Sequence, residues 1–223
     1  MNMKKLGCIA SVLAVSLAGA NAATTLADWS FDNGAIGASS SPVPASGFGA
    51  ASAVGLGSTP NVVSLAGSSA GGPNSWQLTG WSTSAAIGSQ GAQFAASTLG
   101  YYQIQVSFDV HAQTNSEAGL LVQYSQDGIF WQNASITSAG SAGILATNAN
   151  PTNGIVVGSY LLLTNSAAAL WDNGVTVNLT GVSGVANDPN FAIRIVNAGT
   201  GTNCLDTTGA VYNSTNKDRK SVV

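Results

Sequence analysis

Between Tyr101 and Ala112 the chain reads YYQIQVSFDVHA, a long run in which apolar and polar side chains alternate. Tyr102, Ile104, Val106, Phe108 and Val110 share one parity. Tyr101, Gln103, Gln105, Ser107, Asp109 and His111 share the other. Successive side chains of a strand point to opposite faces, so this run predicts a β-strand with one face in a core and one in water. That pattern belongs to antiparallel sheets, which commonly leave one face solvated.

Other segments repeat the signal. Leu26 to Phe31, Asn61 to Leu65 and Ser75 to Trp81 read as short strands, and Leu120 to Ser125 as the next. Asp127-Gly128 supplies a tight turn, with Ile129 to Gln132 expected to return as a hairpin. Ile155 to Thr164, Val175 to Val182 and Phe191 to Val196 follow, and Val211-Tyr212 reads as the start of one more. The Gly/Ala/Ser/Pro-rich stretch from Asn33 to Pro60 reads as loop with short extended pieces, and Ser166 to Trp171 as one turn of helix. No segment carries a helical stripe. The expected fold is all-β: one antiparallel β-sandwich of jelly-roll type.

Charge narrows the function classes. Charged residues are 7% of the 223, against roughly 25% in an average soluble domain, so Ser, Thr, Asn, Gln and Gly must build the surface. Arg194 is the sole Lys or Arg between Lys5 and Lys217, which excludes a nucleic-acid-binding surface. A hydrophobic content of 45% supplies enough apolar surface for a folded core.

Met1 to Ala22 reads as a signal peptide: basic Lys4 and Lys5, an apolar run from Leu6 to Ala18, and an Ala20-Asn21-Ala22 cleavage pattern. The apolar run is too short for a membrane span, and no transmembrane segment is expected after it. Residues 23–216 form the expected single domain. Residues 217–223 read as a non-native tail, because GAT CGG AAG AGC GTC GTG, the start of a common sequencing adapter, encodes DRKSVV. Removing Cys8 with the signal peptide leaves Cys204 alone, so no internal disulfide is expected.

The chemistry-bearing residues are few. His111 is the single histidine and shares a strand face with Ser107 and Asp109, yet no G-x-S-x-G elbow accompanies it. Glu117 is the one glutamate, so a glycosidase pair would need aspartates, and Asp127 is explained by its turn. No catalytic residue, metal site or cofactor is assigned. A structural calcium on Asp172-Asn173-Gly174 or Asn187-Asp188 is the one candidate, without any defined motif. Sugar-binding sandwiches offer exposed aromatic rings beside amide side chains. The candidate ligand-binding residues are therefore Trp81, Tyr101, Gln103, Gln105, Trp131 and Trp171.

Two stretches carry a resemblance: Leu99 to Gln132, with Gly100-Tyr101, Ser107-Phe108-Asp109, Tyr124-Ser125 and Asp127-Gly128, and Asn173 to Gly201, with Asp188 to Val196 reading DPNFAIRIV. With the opening DWSFDN, they resemble secreted bacterial β-sandwich modules that often end in a PEP-CTERM sorting tail. The YSQDGIFW hairpin, Tyr124 to Trp131, also resembles discoidin-like carbohydrate-binding modules. The resemblance implies a sandwich exported to the cell surface or matrix, with a closing strand and sorting tail beyond about Asn216. The expected role is structural or adhesive, without catalysis, toward an extracellular polysaccharide or matrix. A carbohydrate-binding module is the alternative, and a hydrolase built on His111 or two aspartates the third.

Overall fold

The computed structural model describes residues 23–32, 35–65, 72–141, 143–145, 160–163, 170–213 and 220–222. The expected signal peptide lies outside the described residues. Among those described the chain is all-β, and every strand pairing is antiparallel.

The strands are β1 (Ala27–Asp28), β2 (Gly37–Ala38), β3 (Ser46–Gly47), β4 (Ala50–Val54), β5 (Asn61–Ser64), β6 (Asn74–Leu78), β7 (Gly91–Ala95) and β8 (Gln105–Ala112). There follow β9 (Gly119–Ser125), β10 (Gln132–Asn133), β11 (Ile136–Ala139), β12 (Gly143–Leu145), β13 (Tyr160–Leu163), β14 (Leu170–Asn178), β15 (Ala192–Asn197) and β16 (Lys220–Val222). One seven-stranded sheet runs β12-β13-β9-β15-β7-β4, with β10 beside β9. The other runs β11-β14-β8-β16-β6-β5-β2, and β1 and β3 pair apart.

A single core cluster joins the two sheets into a sandwich. It takes Trp76, Leu78, Phe108, Val110, Val175 and Val177 from one and Ala92, Val122, Leu161, Ile193 and Ile195 from the other. Trp76 is fully buried on β6, and its ring meets Phe94 of β7 edge-on at 6.1 Å and tilted Phe31 at 6.2 Å. Its indole N–H donates to the Ser39 carbonyl at 2.8 Å, so the polar edge of the ring is satisfied inside the core.

Several expectations need correction. The long strand begins at Gln105 rather than Tyr101, and Tyr102, expected in the core, is 70% exposed. Asp109 and His111, expected in water, are buried. Both lie beside β14, whose ladder with β8 shifts register between Asp172 and Val175. There the Gly174 N–H donates to Asp109 Oδ1 at 2.7 Å, and Trp171 packs its ring 5.3 Å from the His111 ring. Trp171 therefore lies in a strand, not in a helical turn. Ser166 to Ala169 and Ile155 to Gly158 fall outside the described residues.

The stretch read as loop contains β2, β3 and β4, whose Ala, Gly and Ser side chains give little alternation to detect. The hairpin after β9 is present, but Ile129 and Phe130 stand exposed in its turn and pairing resumes at Gln132. Lys220–Val222, assigned above to a non-native tail, lie between β6 and β8 and pair with both. Backbone pairing is indifferent to side-chain identity, so any extended segment in register would fill that slot.

Candidate functional site

The six residues singled out from sequence do not converge. Trp81 is buried in the core, its indole N–H donating to the Leu78 carbonyl at 3.2 Å, so it has no free face for a ligand. Tyr101, Gln103 and Gln105 are exposed at the start of β8. Half-buried Trp171 pairs with His111 at the far end of the same strand. Six residues of strand separate Gln105 from His111, about 20 Å. Trp131 belongs to the other sheet, just before β10.

The solvent-side face of that sheet holds the most organised polar surface. Ser52 on β4, Gln93 on β7, Arg194 on β15, Gln123 on β9 and Asn133 on β10 are successive cross-strand partners. Partners in an antiparallel ladder share a face. Their chain neighbours Ala92, Val122 and Ile195 enter the core, so this row points away from it. All five residues are half-buried. Four strand steps of about 4.8 Å give a straight polar row about 19 Å long.

Hydrogen bonds order its middle. Arg194 Nε donates to Gln123 Oε1 at 2.8 Å, and Gln123 Nε2 donates to Asn133 Oδ1 at 2.8 Å. The guanidinium lies over the Trp131 ring, with Cζ 4.2 Å from the centroid. Cation–π contact with tryptophan holds the planar group flat. Among the described residues neither Nη group of Arg194 hydrogen-bonds within the chain, and no carboxylate pairs with it. Burial pulls its pKa below the ordinary value, but a guanidinium keeps its charge at neutral pH.

The row has a built border. Ile87 and Tyr160 pack on Leu121, Val196 and Ala198, a small apolar cluster on the same outer face. The loop carrying Ile87 is held by Asn197, whose Oδ1 accepts from the N–H groups of Ser89 and Gln90 at 3.0 and 2.9 Å. Gly88 in that loop has φ +78°, and a Cβ there would stand 3.2 Å from Gln123 Oε1 and 3.6 Å from an Arg194 Nη. Glycine thus serves both the backbone turn and the close approach to the row.

The His111 and Asn187–Asp188 candidates lie outside this row. Buried His111 has its pKa lowered by desolvation, and its Nδ1 makes no hydrogen bond among the described residues, so no carboxylate orients it there. Asp188 Oδ1 accepts from Asn190 N at 2.9 Å, which is turn chemistry, and Asn187 Oδ1 accepts from Gly100 N at 2.8 Å, which ties two loops together. Among the described residues no three His, Cys, Asp or Glu side chains gather as a metal site. A cavity of ≈ 300 Å³ near Phe31, Ala38, Pro42, Val43 and Val62 is lined mainly by apolar groups.

Sequence reading missed all five members of the row, Ser52, Gln93, Gln123, Asn133 and Arg194, as site residues. A signal was present: Gln93, Gln123 and Arg194 are each a polar residue within an otherwise largely apolar strand. Among the described residues no helix is long and apolar enough to cross a membrane. Comparison with family models, with curated proteins and with solved structures finds no match.

Proposed function

We propose that this chain is an exported, non-catalytic adhesive module of the cell surface or extracellular matrix, and that the outer face of the β9–β15–β7 sheet is its contact surface. The observation that supports this is the row Ser52–Gln93–Arg194–Gln123–Asn133, aligned residue by residue across five strands. Amide side chains both donate and accept, which matches the hydroxyls of a polysaccharide. A rigid sheet fixes their spacing before contact, so little ordering entropy opposes binding. The signal-peptide pattern and the likeness to PEP-CTERM-associated sandwich modules support the same reading, with cleavage near Ala22.

Co-sedimentation with insoluble neutral and acidic polysaccharides tests it. Wild-type protein is expected in the pellet, and a Gln93→Ala, Asn133→Ala double variant in the supernatant with an unchanged thermal melt. Wild-type protein left in the supernatant with every polysaccharide would refute the reading.

A further inference from the structure

We infer that the outward-facing guanidinium of Arg194 is the anchor for a carboxylate on the ligand, so that the polar row takes an acidic glycan, one bearing uronate residues. This rests on the adhesive reading above and names its ligand class. An arginine inside a sheet ordinarily has a carboxylate partner, because desolvating an unpaired charge is unfavourable. Among the described residues Arg194 has only the π-face of Trp131 and one neutral amide oxygen. Those two contacts fix the plane of the group and use Nε, while no described residue takes up the Nη donors.

A planar fork held in this way is shaped for bidentate contact with a carboxylate. The groups beside it are neutral. Gln93 and Ser52 extend the row on one side and Asn133 on the other, and the Gln93 amide makes no hydrogen bond among the described residues. One fixed charge flanked by neutral hydrogen-bonding groups fits a charged sugar within a hydroxyl-rich chain. It fits an acidic peptide less well, since peptide anchors need apolar pockets, and the row's five residues are polar throughout.

The test is calorimetric titration of the full chain with an oligogalacturonide and with its methyl ester, which keeps ring, linkage and hydroxyls but lacks the charge. Wild-type protein is expected to bind the acid roughly tenfold or more tightly than the ester, with the preference weakening as salt rises. Arg194→Gln should erase the preference, and Arg194→Lys should keep only part of it, as a point charge without the fork. Gln93→Ala should weaken acid and ester alike. Should Arg194→Gln fail to fold, the lysine variant carries the comparison.

Equal binding of acid and ester by wild-type protein, or an undiminished preference in the folded Arg194 variants, overturns the inference and leaves the adhesive reading standing. Binding of polyglutamate in place of the oligogalacturonide overturns it as well. No binding of any glycan, neutral or acidic, overturns both.

Discussion

Replacing Trp76 by alanine removes the side chain on which the two sheets meet. The ring is fully buried, so the loss of transfer free energy plus the cavity left behind costs about 3–5 kcal/mol. The indole N–H also satisfies the Ser39 carbonyl at 2.8 Å, and deleting that donor adds about 1 kcal/mol. The edge contacts with Phe94 and Phe31, at 6.1 and 6.2 Å, bring the total to about 5–7 kcal/mol. For a domain of this size each kcal/mol lowers Tm by about 2–4 °C, so a fall of about 10–28 °C is expected. That is a large share of the roughly 5–15 kcal/mol that holds a typical domain folded. Urea titration followed by far-UV circular dichroism measures the loss without relying on the deleted fluorophore. Trp76→Phe, which keeps most of the ring and removes the donor, should lie between the two. An alanine variant within about 2 kcal/mol of wild type would refute the placement of Trp76 between the sheets.

Two further expectations concern pH. Burial lowers the His111 pKa below its ordinary 6.5, so the unfolded chain takes up a proton before the folded one does. The stability this residue contributes is full above 6.5 and falls as pH drops from 6.5 toward the folded value, by at most about 1.4 kcal/mol per pH unit. Titrating urea midpoints between neutral and mildly acidic pH should show this slope in wild type and lose it in His111→Phe. An identical slope in both would assign it elsewhere. Asp127 has its pKa lowered by hydrogen bonds from the N–H groups of Phe130 and Ile129, with Ser125 adding to them. Those bonds hold above the ordinary carboxylate range and are lost as pH falls through the lowered folded pKa. Asp127→Ala should speed hydrogen exchange at Ile129 and Phe130 at neutral pH, and unchanged exchange there would show that the carboxylate does not hold the turn.

What the sequence made legible followed from alternation of large apolar with polar side chains. β8 was visible because Phe108 and Val110 contrast with Ser107 and Asp109, and β9 and β15 because they are largely apolar runs bounded by turn residues. β4 and β7 are built largely from Ala, Gly and Ser, whose extended conformation is imposed by the strands beside them. The burial of Asp109 and His111 was hidden for a related reason, since their partners Gly174 and Trp171 come from β14, distant in the chain. The row around Arg194 is the clearest case. Gln123 and Arg194 sit in strands that the sequence shows, but the alignment of the row is a property of register among strands that lie far apart in the chain.

The position of β16 bears on the order in which this protein can be made. β6 and β8 are both antiparallel to it and do not pair with each other, so a strand of three residues joins β11-β14-β8 to β6-β5-β2. Neither half can close on the other until an extended segment, here residues 220–222, fills the slot between β6 and β8, whatever its side chains. Pairing between elements so distant in sequence is slow, because loop closure precedes any gain from contact. A chain emerging from a ribosome would thus hold its second sheet open until late in synthesis.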